Sequence, residues 1–285
     1  FYQNHNLTIP KNLFFMDKSL KSTIDNQKNY FKSKKTFNVE FRIQKLKDLL
    51  EEIKSSENDI ELALFHDLGK SKGESYLTEI HFVYSEINIA LRNLKKWTKR
   101  KAVRSTLLNF PSSDYIIAEP YGNTLHISPW NYPFQLSIAP LIGAIAAGNT
   151  VVLKPSEYSN QTSQLLNKIL SSVFDTGHVD VILGGPEISS NLLEFKWDYI
   201  FFTGSVSVGK IVAKAAAINL TPTTLELGGK NPCVVDETAS IKVTAKRIVW
   251  GKFTNCGQTC IAPDFLIAYS EKDLALHLDS KTLKT

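Results

Sequence analysis

Cysteine and methionine are scarce in this sequence. Its 285 residues contain three cysteines, Cys233, Cys256 and Cys260, and one methionine, Met16. So few cysteines exclude a disulfide framework of the secreted kind and indicate free thiols in a reducing, cytoplasmic compartment. Apolar residues nowhere form a run long enough to cross a bilayer, so no membrane attachment is visible in this part of the protein. With 43% hydrophobic residues, a chain of this length can form two globular domains.

Neither sign of charge dominates, since the formal net charge is +5. The main basic cluster is KKWTKRKAVR, residues 95–104. Such a cluster could contact nucleic acid, or it could be the solvated end of a helix, where cations suit the helix dipole. Because no motif that reads nucleic acid accompanies it, we favour the helix end and predict no nucleic-acid partner.

The N-terminal third is predicted to be helical from Val39 onward. One stripe of apolar residues at helix spacing covers 43–53, a second helix ends at Gly69, and a third carries a stripe from Ile80 to Leu94. We interpret these stripes as core without chemistry. The first fifteen residues show no periodicity. Our hypothesis is that Met16 is the natural start and that 1–15 are a non-native or disordered leader.

Strands and helices alternate between residues 124 and 219. The pattern predicts apolar strands at 124–128, 150–154, 179–183 and 198–202, with helices at 134–147, 158–174 and 205–219. Uninterrupted apolar strands between helices indicate a parallel sheet covered on both faces. The predicted class is therefore α/β with a doubly wound parallel sheet. Ligands are expected at the carboxyl ends of its strands.

Two of four segments that could carry chemistry follow strands directly. FTGSVSVG, 202–209, has Gly204 at a tight turn, helix N–H groups that could meet an anion, and Gly209 where close packing is needed. The dinucleotide fingerprint GxGxxG does not occur here. KPSE, 154–157, places an ammonium and a carboxylate at a strand end, where ribose and phosphate groups bind. Each signal by itself is weak, because turns often hold glycine and strand-end lysines are commonly solvated.

The other two segments hold a cysteine and a carboxylate. GQTC, 257–260, places Cys260 at a turn after a helix, where a thiol can be an exposed nucleophile or a small buried hydrophobe. Cys256, four residues earlier, could share a metal with it, but the sequence offers no second ligand pair, so we predict no metal. LELGGK, 225–230, puts Glu226 inside an apolar strand, where a carboxylate is costly to bury unless it has a task.

Taken in order, SPWNYP (128–133), KPSE, FTGS, LELGGK and GQTC form the motif series of aldehyde dehydrogenases. The likeness runs from about 39 to 268, and GAIAAGN (143–149) with TCIAPD (259–264) most resembles the class 3 group. The resemblance implies a Rossmann-like NAD domain followed by the start of a second α/β, catalytic domain. It also implies oxidation of an aldehyde to a carboxylic acid through a cysteine thiohemiacetal and a thioester.

The resemblance implies a role for individual residues. Cys260 matches the nucleophile, and Glu226 matches the base that activates water for thioester hydrolysis. The Asn131 amide and the Cys260 N–H match the donors to the oxyanion. Because Glu157 would lie near the adenosine ribose and disfavour a 2′-phosphate, we expect NAD and leave NADP open. The residues that match the cofactor site are Trp130, Lys154, Glu157, Gly204, Ser205, Val208, Gly209 and Leu227.

The chain departs from the family after Cys260, which 25 further residues follow. Full-length members continue and include a Glu-x-Phe-Gly-Pro segment that does not occur here, so we expect a fragment that is inactive by itself. The alternative is a catalytically inactive short protein that binds a dinucleotide or a partner chain. Genomic sequence beyond 285 would decide between them.

The expected domains follow the family. They are a NAD-binding domain at 16–105 and 123–225, a hairpin arm for oligomerisation at 106–122, and an incomplete catalytic domain at 226–285. For the full-length enzyme, the resemblance implies a homodimer acting on medium- to long-chain aliphatic or aromatic aldehydes.

Overall fold

The computed structural model describes residues 11–268, with side chains from Leu20 onward. Within that range the chain divides into two units, each with its own cluster of buried apolar residues. The first unit comprises 11–203 and 211–224, and the second comprises 204–210 and 225–268. Most of the predicted leader, 1–15, lies outside the described residues, and 11–15 belong to the first helix.

Five helices open the described part of the first unit. The predicted apolar stripes are buried, with Leu46 and Ile53 from the first and Ile87 and Leu94 from the third fully or almost fully enclosed. The three helices predicted from Val39 onward are confirmed, whereas the earliest helix is not predicted. The elements are α1 (Lys11–Lys32), a 3-10 turn (Lys35–Phe37), α2 (Val39–Ser55), α3 (Glu57–Leu68), α4 (Lys72–Ser75), a π-helical turn (Tyr76–Ile80) and α5 (His81–Trp97).

A short antiparallel hairpin follows α5. Its strands are β1 (Lys101–Val103) and β2 (Asp114–Ile116), with Ala102 opposite Tyr115. The connection between them exposes Leu107, Leu108 and Phe110 to 94%, 96% and 81%. The hairpin overlaps the predicted arm at 106–122 but begins before it. Its role in oligomerisation stays a prediction.

A five-stranded sheet contains the predicted strands, and the α/β class with a doubly wound parallel sheet is confirmed. β3 pairs in parallel with β4 and with β6, and β4 pairs in parallel with β5. The order across the sheet is β5-β4-β3-β6-β7. The strands are β3 (Asn123–Ile127), β4 (Thr150–Lys154), β5 (Val179–Val181), β6 (Tyr199–Gly204) and β7 (Thr223–Leu227), and the helices that follow them are α6 (Gln135–Ala147), α7 (Asn160–Val173), α8 (Pro186–Leu193) and α9 (Val206–Ile218).

The middle of this sheet is enclosed. Every residue of β3 and β4 is buried, which is why β4 carries an uninterrupted apolar run from Val151 to Leu153 rather than an alternating pattern. From β3 the chain adds β4 and β5 on one side and then β6 and β7 on the other. In open α/β sheets, ligands bind outside the carboxyl ends of the strands near such a reversal of order.

The second unit contains a parallel pair of strands joined by a helix. β8 (Asn231–Val235) pairs with β9 (Pro263–Ala268), and α10 (Ile241–Phe253) connects them. Val235 and Ile248 form a cluster of buried apolar residues in this unit, and Leu266 packs against them. Of the helices in residues 11–268, none is both long and apolar enough to cross a membrane.

Candidate active site

The KPSE motif lies where β4 ends. Lys154 is the last residue of β4, and its side chain is 2% exposed. Its Nζ donates a hydrogen bond to Glu157 Oε2 over 2.7 Å. Burial raises the pKa of Glu157, but the hydrogen bond from Lys154, the backbone N–H of Glu157 and the ammonium charge outweigh this effect, so the pKa lies below its usual value. Glu157 is therefore an anion at neutral pH, with a buried ammonium beside it.

A cavity of about 400 Å³ opens beside this pair. Gly184 in its wall has a φ of 145°, and a β-carbon there would lie 2.4 Å from Cγ1 of Ile188, so the backbone requires glycine. Hydroxyl, amide and carboxylate groups face the cavity, a set of donors and acceptors that suits a ribose. The lining residues follow β4, open α7 or follow β5: Pro155, Ser156, Glu157, Asn160, Ser163, Gln164, Leu183, Gly184 and Gly185.

Trp130 and Asn131 lie in the loop between β3 and α6. Ser137 Oγ, in α6, donates to the carbonyl oxygen of Pro133 over 2.6 Å and lies 2.7 Å from Ser128 Oγ. These contacts tie both ends of the loop to the start of the helix. Trp130 is 40% exposed, and Asn131 is half-buried. The loop thus carries the indole of Trp130 and the amide of Asn131 on a backbone that is held by hydrogen bonds at both ends.

The FTGS motif leads from β6 into α9. Gly204 is the last residue of β6, and Ser205 directly precedes α9. The Ser205 Oγ accepts a hydrogen bond from the N–H of Val208 over 3.3 Å, and the buried Gly209 donates its N–H to the Ser205 carbonyl over 2.9 Å. Ser205 therefore caps the helix and satisfies part of the N–H array that the sequence predicts for anion binding.

Cys260 follows a turn with an unusual backbone between α10 and β9. Asn255, Cys256 and Gly257 have φ values of 54°, 55° and 78°. A left-handed conformation costs a non-glycine residue roughly 1–2 kcal/mol, and such strain is concentrated at functional sites. Asn255 is buried, and its carbonyl oxygen accepts the N–H of Gln258 over 3.0 Å. Cys260 itself is exposed, as a nucleophile must be.

The segment after Glu226 packs on the backbone of Cys260. Glu226 lies in β7 with its side chain exposed, so the expected burial of this carboxylate in an apolar strand is wrong. Beyond the strand, a β-carbon on Gly229 would lie 2.7 Å from the carbonyl oxygen of Cys260. Asn231 Nδ2 donates to that oxygen over 2.6 Å and to the carbonyl of Ala262 over 3.1 Å. Gly229 and Asn231 therefore fix the position of the Cys260 carbonyl group.

Two parts of the site are not predicted from the sequence. The Gly184–Gly185 turn of the cavity is one, although a double glycine after a strand signals a close approach or a special backbone conformation. The other is the buried pair Lys70 and Glu79, which contacts the loop of Asn131. The sequence gives no comparable signal for this pair, because its burial depends on tertiary packing.

Comparison with known proteins decides the family. The profile described as Aldehyde dehydrogenase family matches residues 16–272. The chain belongs to the aldehyde dehydrogenase family. The resemblance predicted from the motif series is confirmed.

Relatives of this aldehyde dehydrogenase chain include the 4,4′-diaponeurosporen-aldehyde dehydrogenase of Staphylococcus aureus, 50% identical over 258 residues, or 90% of this chain and 56% of that protein. Aldehyde dehydrogenase family 3 member B3 of Mus musculus is 48% identical over 244 residues, which cover 86% of this chain and 51% of that protein. The substrate-bound structure of Staphylococcus aureus AldH matches with a TM-score of 0.90 and 48% sequence identity. The match covers 93% of this chain and 58% of the chain in that structure. The chain thus spans about half the length of these relatives.

The residues that match the catalytic and cofactor sites of aldehyde dehydrogenases lie in both units. Lys154 and Glu157 are bonded to each other in the first unit, where Trp130 and Asn131 also lie. Glu226, Leu227, Cys260 and the Gly204–Gly209 turn belong to the second. Assembly of Asn131 and Cys260 into one oxyanion site stays a prediction. Within residues 11–268, no group of three or more His, Cys, Asp or Glu side chains could hold a metal ion.

Proposed function

We propose that the whole protein oxidises an aldehyde to a carboxylic acid, with NAD as hydride acceptor and Cys260 as nucleophile. The observation that carries the proposal is an exposed Cys260 whose backbone is fixed by Gly229 and Asn231. A nucleophile needs access to substrate together with a defined position, and this arrangement supplies both. Membership of the aldehyde dehydrogenase family supports the reaction class.

The first half-reaction forms a thioester on Cys260. The thiolate adds to the aldehyde carbon, and the carbonyl electron pair moves to oxygen. The Asn131 amide and the Cys260 N–H donate hydrogen bonds to that oxyanion, the type of preorganised stabilisation that usually contributes most to such reactions. Bound NAD would supply the acceptor for the hydride that leaves the same carbon.

The second half-reaction releases the acid. Glu226 takes a proton from water, the water oxygen attacks the thioester carbon, and the Cys260 thiolate leaves. The exposed Glu226 side chain is accessible to water, which this role requires. A base at this position favours a free carboxylic acid as product, because transfer of the acyl group to a thiol or phosphate needs no activated water.

The cavity beside β4 fits the adenosine ribose of the cofactor. It offers hydroxyl, amide and carboxylate groups, and the buried Lys154 donates a hydrogen bond to Glu157 in its lining. The anionic Glu157 would accept hydrogen bonds from ribose hydroxyls and repel a 2′-phosphate, which favours NAD over NADP. The turn of Gly204, Ser205, Val208 and Gly209 would hold the pyrophosphate and adenine side. Trp130 and Leu227 would flank the nicotinamide.

The substrate class proposed is medium- to long-chain aliphatic or aromatic aldehydes. It is supported by the 50% identity to a relative named for 4,4′-diaponeurosporen-aldehyde. We also propose a cytoplasmic homodimer in which the β1–β2 hairpin makes contacts between subunits. The exposed Leu107, Leu108 and Phe110 support this role, because apolar patches of this kind mark interaction surfaces.

The test uses the full natural protein that contains these 285 residues. NADH formation is measured with a panel of aliphatic and aromatic aldehydes. Cys260→Ser should abolish it while NAD still quenches the protein's fluorescence, and Cys256→Ser is the matched control that should retain most activity. Undiminished NADH formation by Cys260→Ser would refute the proposal.

A further inference from the structure

A buried pair of opposite charges lies behind the loop that carries Asn131. Lys70 follows Gly69, whose left-handed φ of 68° ends α3, and Glu79 lies in the π-helical turn Tyr76–Ile80. Their side chains are 2% and 0% exposed, and Lys70 Nζ lies 2.5 Å from Glu79 Oε1. Burying two charges is costly unless further hydrogen bonds satisfy both groups.

The second oxygen of Glu79 holds the start of α6. Its Oε2 accepts the N–H of Phe134 over 2.9 Å and the N–H of Gln135 over 3.1 Å. A carboxylate at this place also meets the positive end of the helix dipole. Burial raises the pKa of Glu79, and Lys70 and the two backbone donors oppose that rise. The pKa of Glu79 lies above its usual value because of burial, and the ammonium of Lys70 favours the charged form of the carboxylate.

Lys70 reaches the loop itself. Its Nζ donates to the carbonyl oxygen of Asn131 over 3.3 Å and lies 4.2 Å from the centroid of the Tyr132 ring. An ammonium over an aromatic face is attracted to it, more strongly when water is excluded. The peptide unit between Asn131 and Tyr132 is thereby held by one buried cation.

The π-helical turn is a second unusual feature of this region. Such turns are rare and occur often at functional sites. This one holds Glu79, whose side chain is completely enclosed. A rare turn, a buried ion pair and a cation over a ring therefore all act on one short stretch of backbone, 131–135.

From these contacts we infer that Lys70 and Glu79 are positioning residues that set the orientation of Asn131 in the oxyanion site. The inference rests on the proposed function, in which the Asn131 amide donates to the oxyanion. Such donors act because they are aimed before the reaction begins. A displacement of about 1 Å can lower a rate about 100-fold. Neither Lys70 nor Glu79 is assigned a contact with substrate, and both act through the backbone of 131–135.

The test is a double-mutant cycle on the NADH burst of the full natural protein at saturating aldehyde. Asn131→Ala removes the donor and should slow the burst about 100- to 1000-fold. Lys70→Met keeps the length of the side chain but removes the ammonium, and should slow the burst at least about tenfold with little change in KM. Adding Lys70→Met to Asn131→Ala should cause no further loss. Losses that multiply would overturn the inference.

Arg42→Met is the matched control for destabilisation. Arg42 is another buried cation, but its guanidinium donates to the carbonyls of Thr36, Phe37 and Ala146 over 2.6, 2.7 and 3.1 Å. The control variant should melt at a lower temperature, yet its burst rate should stay within about twofold of the parent's, since its partners lie outside the loop. If Lys70→Met and Arg42→Met slow the burst equally, Lys70 acts through stability and not through position.

A second variant and a second measurement test the role of Lys70 if Lys70→Met does not fold or if the protein has no activity. If Lys70→Met does not fold, Lys70→Met/Glu79→Gln removes both charges while the glutamine carbonyl can still accept at α6, and the cycle is repeated with that pair. Amide hydrogen exchange of 131–136 without substrate should be faster in Lys70→Met and unchanged in Arg42→Met. A parent protein that oxidises no aldehyde would overturn the proposed function by itself. In that case, faster exchange in Lys70→Met would still show that Lys70 holds the loop in place. Unchanged exchange would overturn that role.

Discussion

The carbonyl oxygen of Cys260 occupies the space that a side chain on Gly229 would need. A β-carbon on Gly229 would lie 2.7 Å from that oxygen, a separation that real β-carbons essentially never show. At Gly228 a β-carbon would have no neighbour within 4 Å among the described residues. Two adjacent glycines thus differ sharply in what they tolerate, and the position of the proposed nucleophile depends on the second.

Gly229→Ala should displace the backbone of Cys260 and slow formation of the thioester at least about tenfold, because small misplacements of a nucleophile cost orders of magnitude in rate. The measurement is the NADH burst in single-turnover experiments, with the rate of Cys260 alkylation by iodoacetamide alongside. Gly228→Ala is the matched control and should react like the parent. Equal rates in the two variants would show that the close contact does not position the thiol.

Glu157→Gln should shift cofactor preference toward NADP. Removing the carboxylate removes its repulsion of a 2′-phosphate, and the ratio of kcat/KM for NADP to that for NAD should rise about tenfold, equivalent to roughly 1.4 kcal/mol. Lys154→Met should instead weaken binding of both cofactors, because it leaves Glu157 without its ammonium partner. An unchanged ratio in Glu157→Gln would place the ribose elsewhere.

His178 is completely buried among aromatic rings. Its ring centroid lies 5.6 Å from those of Tyr30 and Phe41 and 5.2 Å from that of Phe174. Among the described residues, neither of its ring nitrogens has a hydrogen-bond partner. Burial, with the charge of Lys45 as a second cause, lowers the pKa of His178 from 6.5 to about 4.

This shift predicts a loss of stability in mild acid. The unfolded chain binds the His178 proton more tightly than the folded protein does, so stability falls as pH drops from about 6.5 to about 4. Between pH 7.5 and pH 5 the loss from this residue should be about 2 kcal/mol in the free energy of unfolding by urea. His178→Phe should remove that part of the pH dependence, and His66→Phe, at an exposed position, should not. Identical pH profiles for all three proteins would contradict the assignment.

Asp67 should stabilise the packing of α3 and α7. Its carboxylate oxygens accept the N–H groups of Gln161 and Thr162 over 3.1 and 2.7 Å at the start of α7. Asp67→Ala should therefore lower the free energy of unfolding by about 1–2 kcal/mol. The control is Asp59→Ala, which breaks the exposed ion pair with Lys168 between the same helices and should cost about 0.5 kcal/mol or less. A larger loss in the control would show that exposed charge, not capping, joins the helices.

The sheet could be predicted because each strand carries its own signal. The continuous apolar residues before Lys154 and Gly204 reflect strands with little or no exposed face, and the motif residues at their ends lie where parallel strands terminate. The ends of the strands are predicted less accurately than the strands themselves. The strand predicted at 179–183 ends at Val181, and Leu183 instead lines the cavity. Periodicity identifies an element better than it identifies the residue where hydrogen bonding stops.

The remaining features depend on contacts between distant segments. Glu79 lies in a π-helical turn that has no sequence signature, and the other partners of Lys70 and Glu79 lie in the loop after β3 and at the start of α6. The apolar neighbours Leu225 and Leu227 favour burial of Glu226, yet its side chain is exposed. Helix α8 has a start signal, Pro186 after Gly185, but eight residues are too few to show a clear stripe.

In the proposed reaction, the acyl group is carried on Cys260 and released by water that Glu226 activates. Glu226→Gln should allow one hydride transfer and then stop, leaving the thioester on the enzyme. Trypsin would release residues 253–272 as one peptide, which contains both Cys256 and Cys260 and no internal lysine or arginine. The decisive measurement is fragmentation of that peptide by mass spectrometry after acid quenching of a single turnover. We expect one equivalent of NADH and an acyl mass on Cys260. An acyl mass on Cys256, or steady turnover by Glu226→Gln without any adduct, would contradict it.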